Sequence, residues 1–136
     1  MNRFGLTMLA VSFGVPALPA AAEDFDGTKA LICASIESYE CVPDGECLKG
    51  TAESINAPQF IRLDFKDKVA RAVRRDGEER TSSIESLTQN EAELILLGTQ
   101  GGLGWSMSIT QGSGKMALSA SGDRVAFVVF GACTTL

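Results

Sequence analysis

The 136-residue chain contains no histidine. That absence removes the side chain most often used as a general base near neutral pH, the serine and cysteine triads built around an imidazole, and the common zinc ligand sets. The four cysteines include no Cys-x-x-Cys pair, so neither a redox motif nor a metal knuckle is indicated. No apolar run reaches the roughly 18 to 20 residues that a helix needs to cross a bilayer. Basic residues are the minority, 12 against 17 acidic ones, and they form no stripe interleaved with aromatics. Such a chain is expected to repel nucleic acid and anionic lipid. Internal repeats, low-complexity stretches and linkers are also lacking.

The N-terminus carries the features that an export machinery reads. Arg3 supplies the positive n-region, Phe4 to Val15 is apolar, and Ala20-Ala21-Ala22 is a small-residue cleavage site ahead of Glu23. Pro16 and Pro19 break the run, which is too short for a membrane anchor. Glu23, not a cysteine, stands directly after the cleavage site and no second arginine accompanies Arg3, so neither a lipoprotein anchor nor the twin-arginine route is expected. The expectation is a signal peptide at 1–22, cleaved after Ala22, and one domain at 23–136 in the periplasm or outside the cell. Eleven basic residues then face seventeen acidic ones, a net charge of −6.

In an oxidising compartment, four cysteines in a small domain are read as paired. Cys33, Cys41, Cys47 and Cys133 allow three connectivities, among which sequence does not choose. The turn residues Pro43-Asp44-Gly45 favour Cys41 with Cys47, leaving Cys33 with Cys133.

From position 59 onward apolar residues recur at a spacing of two, the period of a strand. Ile61, Leu63 and Phe65 share a face; Lys66-Asp67 and Asp76-Gly77 are turn signals around a strand at 68–74. Short strands follow at 81–87 and 92–97. Trp105, Met107 and Ile109 alternate with Ser106, Ser108 and Thr110, and Gln111-Gly112-Ser113-Gly114 turns the chain into Met116, Leu118 and Ala120. Val125 to Phe130 is apolar on both faces, which predicts a strand covered on each side. Residues 30–36 fit a buried strand or a short helix, with strand preferred. The prediction is all-β: an antiparallel meander of about seven or eight strands, closed or partly open as a small barrel, or alternatively folded as a β-sandwich.

Three C-terminal segments, Gly104-Trp105-Ser106-Met107-Ser108-Ile109, Gly114-Lys115-Met116 and Phe127-Val128-Val129-Phe130-Gly131-Ala132-Cys133, together with Phe25-Asp26-Gly27 and residues 47–56, resemble an uncharacterised family of small exported β proteins of proteobacteria. The resemblance covers nearly all of the chain after the leader. It implies a Gram-negative periplasmic setting and transfers no activity.

Four residues are candidate contacts. Asp44 and Glu46 lie in the predicted Cys41–Cys47 loop, where a rigid acidic turn suits a basic partner, although turn chemistry alone accounts for Asp44. Arg71 shares a face with Val69 and Val73. If that face points inward, the guanidinium needs a carboxylate or an anionic ligand; if Ala70 and Ala72 point inward, which burial preferences favour, it needs neither. Trp105 follows the glycine-rich stretch 98–104, a flexible lip over a cavity, yet it alternates with Met107 and Ile109 as a core residue does. Asp24 and Asp26 read as a solvated leader beside the new N-terminus.

No catalytic, cofactor-binding or metal-ligating set emerges, so a non-catalytic binding or interaction module of the periplasm is expected, with no cofactor. Its partner is an unknown protein or small molecule of the cell envelope. An inhibitor of a lysozyme-like cell-wall hydrolase and a small-ligand carrier are the alternatives. An enzyme working through carboxylates alone is disfavoured because no buried acid pair is evident.

Overall fold

Alternation at a spacing of two becomes backbone pairing along most of the chain. The computed structural model describes residues 25–74 and 76–136. The predicted leader and Asp24 lie outside the described residues. Nine strands follow one another: β1 (Leu31–Cys41), β2 (Leu48–Gly50), β3 (Phe60–Asp64), β4 (Val69–Val73), β5 (Glu79–Gln89), β6 (Glu93–Gln100), β7 (Leu103–Thr110), β8 (Lys115–Ser121) and β9 (Ala126–Thr135). Among the described residues no helix is long and apolar enough to cross a membrane.

From β3 to β9 each strand pairs antiparallel with the next. The last strand returns to the first, from Leu31 opposite Thr135 to Cys41 opposite Ala126, and so closes the sheet. The result is an eight-stranded barrel in place of the sandwich alternative, because a closed sheet leaves few unpaired edges. Residues 30–36 fall in or beside β1 and extend, as preferred, as strand. The other edge of β1 is shared: Leu31 to Ala34 pair with β3, and Ser38 to Glu40 pair with the short β2. The strand β2 therefore stands outside the eight-stranded ring, above β3.

Inward positions differ in size from one end to the other. At the end holding the 65–68, 90–92 and 111–114 turns, Leu31, Leu63, Leu94 and Ile109 are fully buried, and Cys33 joins Cys133 across the closing seam between β1 and β9. Below them Phe25 is only 4% exposed. It packs against Gly114, whose φ of +66° suits glycine and where a Cβ would fall 2.5 Å from the Phe25 ring. The segment expected to be a solvated leader thus plugs the barrel, and Asp26 caps it by accepting the Thr28 backbone N–H at 2.9 Å.

Two expectations are corrected. The strand β9 is not covered on both faces: Val129 is buried inward, but Phe130 is 47% exposed on the outer surface, flanked edge-on by Tyr39. The strand expected at 81–87 runs from Glu79 to Gln89, with a bulge between Ile84 and Ser86. A bulge in β1 between Ser35 and Glu37 throws Ile36 outward, 74% exposed.

Candidate functional site

The opposite end of the barrel, at the 74–78, 101–102 and 122–125 turns, is lined by smaller side chains. Ala70 and Ala72, which face Leu63 and Ile61 across the β3–β4 ladder, and Ala120 of β8 are small inward side chains. They leave a cavity of about 280 Å³. Its wall is almost wholly apolar: Ile61, Leu103, Trp105, Met107, Leu118, Phe127 and Val129 surround the three alanines. Polar side chains appear at Arg80, Asn56, Gln100 and Ser82.

Trp105 is held by two features of the wall. Its indole N–H donates to the Ser82 hydroxyl at 2.9 Å, and that hydroxyl donates to the Thr99 carbonyl at 2.9 Å. Beneath the ring, Gly98 is the cross-strand partner, and a Cβ there would fall on the indole. The ring therefore belongs to the core, as its alternation indicates, and at the same time forms one wall of the cavity. The indole N–H and the Ser82 O–H are both committed, so neither has a hydrogen left to donate to an occupant.

Residues 51–58 link β2 to β3 across this mouth. A turn held by the hydrogen bonds Ser54 N–H to Thr51 O at 3.0 Å and Ala57 N–H to Ala52 O at 2.8 Å presents Ile55, 9% exposed, to the cavity. Arg74 donates to the Asn56 side-chain oxygen and to Glu78 Oε2, the latter at 2.9 Å, and so ties this flap to the β4–β5 turn. Glu53, Asn56, Ala57, Arg74 and Asp76 line a separate polar recess beside the mouth.

The four candidate contacts are not brought together. Asp44 and Glu46 are exposed on the loop closed by the Cys41–Cys47 disulfide, at the mouth end of the barrel. Arg71 does not enter the interior: it is half-buried on the outer wall with Glu79 3.7 Å away, while Ala70 and Ala72 point inward. The inward cation is Arg80. It lies opposite Ala72 in the β4–β5 ladder and lines the cavity, with Glu78 3.5 Å from its Nε. Sequence reasoning missed it because the strand was begun at Thr81; counting back by two from Ile84 and Ser82 reaches Arg80.

A second polar cluster lies on the outer wall. Tyr39 donates to Glu37, which also meets Lys49 Nζ at 2.5 Å, and that ammonium stands 5.9 Å from the Tyr39 ring centre. The Lys49 ammonium and then the Tyr39 hydroxyl hold the Glu37 carboxyl below its ordinary 4.5. Glu37 in turn raises Tyr39 above 10.0 and Lys49 above 10.5. Among the described residues no group of three or more acidic or cysteine side chains is arranged to hold a metal ion.

Compared with known proteins, the chain matches no family model, no curated protein and no solved structure. The class defined by fold and site is therefore structural: a closed antiparallel β-barrel, sealed at one end and hollow at the other, braced by two disulfides that fit an oxidising compartment.

Proposed function

We propose that this chain is a non-catalytic binding module of the periplasm whose hollow barrel end takes a small, largely apolar ligand. The observation that carries the reading is the cavity of about 280 Å³ with apolar walls and polar groups confined to a few points, the pattern of a small-molecule site. The leader, the two disulfides and the resemblance to exported proteobacterial β proteins support the compartment. Trp105 is the sole tryptophan and lies in the cavity wall, so its emission reports occupancy directly.

Titration of the purified protein with n-octanol is expected to shift Trp105 emission saturably. Native mass spectrometry of protein isolated from its host is expected to reveal a bound small molecule. An emission spectrum indifferent to octanol, combined with a bare mass, would end this reading.

A second reading follows from the exposure of Asp44 and Glu46 on a disulfide-closed loop. It is inhibition of a basic cell-wall hydrolase through that loop. It predicts slowed lysozyme turnover that disappears in Asp44→Lys/Glu46→Lys; unimpeded turnover with the unaltered protein rejects it.

A further inference from the structure

We propose that the occupant of the barrel is a medium-chain aliphatic anion, its tail in the apolar cavity and its carboxylate against Arg80. This rests on reading the cavity as a binding site and adds the chemical class of what binds there.

The tail follows from the walls. The Trp105 N–H is given to Ser82 and the Ser82 O–H to the Thr99 carbonyl, so a carboxylate placed beside them loses its water and finds no donor there. The length follows from volume. At about 30 Å³ for each water-sized unit, 280 Å³ holds roughly nine such units, enough for a tail of about eight carbons with its head at the rim.

The head follows from charge. Among the described residues Arg80 is the only charged side chain lining the cavity. Its carboxylate neighbour is divided: Glu78 Oε1 stands 3.5 Å from Arg80 Nε, while Glu78 Oε2 accepts from Arg74 at 2.9 Å. The Arg80 fork is thus placed at the rim to take a second carboxylate in bidentate geometry, with Gln100 lining the same cavity. A cationic head is favoured by the acidic surplus of the whole chain. Glu78, however, is already engaged by Arg74 and Arg80, and Glu53 and Asp76 line the separate recess with Arg74, so among the described residues the charge that lines the cavity is the Arg80 cation.

The test is a Trp105 emission titration of the purified protein with octanoate, n-octanol and octylamine. Octanoate is expected to bind about five- to tenfold tighter than octanol, a charge-assisted hydrogen bond discounted for the partial exposure of Arg80, with octylamine weakest. In Arg80→Gln, octanoate is expected to fall to the affinity of octanol, and an unaltered far-UV circular dichroism spectrum shows that the variant is folded. Arg80→Lys should retain part of the preference. Equal affinity for all three compounds overturns the anionic head and leaves the pocket standing. A preference for octanoate that survives in Arg80→Gln overturns the role of Arg80. Failure of every compound to move the emission removes the inference together with the reading beneath it.

Discussion

The two ends of this barrel are made from the same strands and differ in the size of the inward side chains. Across one end Leu31 faces Leu63, Leu94 faces Ile109 and Ile109 faces Met116, and all are buried. Beyond them β4 presents Ala70 opposite Leu63 and Ala72 opposite Ile61, β8 presents Ala120, and space remains. Large residues in register make a core; alanines at inward positions, with Trp105 and Phe127 flanking Ala120, make a hollow. The closures differ as well. Phe25 wedges into the sealed end from a segment of its own chain, whereas among the described residues the mouth is covered by the 51–58 turn, tied down through Arg74.

That contrast is open to attack at several points. The sharpest is the seam that holds the sealed end together. Cys33 and Cys133 close a loop of 100 residues, which in the chain-entropy model contributes about 4 to 5 kcal/mol, against roughly 2 to 3 kcal/mol for the short Cys41–Cys47 loop. Urea unfolding of Cys33→Ser/Cys133→Ser should reveal a far larger loss than that of Cys41→Ser/Cys47→Ser. Equal losses would deny the sealed end its special standing.

Next in size is the packing asymmetry. Leu63→Ala removes a fully buried side chain and is expected to cost about 2 to 5 kcal/mol. Ala72→Val adds volume at the mouth, where room exists, and should change stability by less than about 1 kcal/mol while weakening octanoate binding. A large destabilisation by Ala72→Val would mean that the mouth is as tightly packed as the base. Smaller again is the effect of Ser38, 1% exposed, whose hydroxyl has no hydrogen-bond partner among the described residues. Ser38→Ala should stabilise by about 1 kcal/mol in the same denaturation assay, since an unsatisfied buried hydroxyl is removed.

The smallest effect belongs to the outer wall. Glu37 titrates below 4.5 in the folded chain, so its contribution is present above that pH and is lost as pH falls through the depressed value. Tyr39 and Lys49 are raised above 10.0 and 10.5, so theirs is present below those values and is lost as pH rises through the elevated ones. Thermal melts should be level between these limits and decline outside them, with both flanks shallower in Glu37→Gln. Flanks unaltered by that substitution would dissociate the trio from stability.

Much of the architecture was legible because strand periodicity is a local signal. The alternation of Trp105, Met107 and Ile109 and the turn at 111–114 reappear as β7 and its hairpin with β8. The exposed face of β9 was misread because Val128 and Phe130 are apolar, and sequence does not reveal that the barrel leaves its outer surface to water. Phe25, β2 and the 51–58 flap were missed for a different reason: each is too short to establish a period, and its position depends on contacts distant in sequence. The cavity was less legible still. It exists only where Ala70 and Ala72 of β4, Ala120 of β8 and Trp105 of β7 converge, and no segment carries that convergence by itself.

The central claim is that a ligand enters one end of the barrel and not the other, and methyl-resolved NMR during octanoate titration tests it most directly. The account predicts shifts at Ala72, Ala120 and the Trp105 indole N–H, with Leu31, Leu94 and Ile109 unmoved. Shifts spread evenly over both ends, or confined to exposed outer residues such as Phe130 and Ile36, would contradict it.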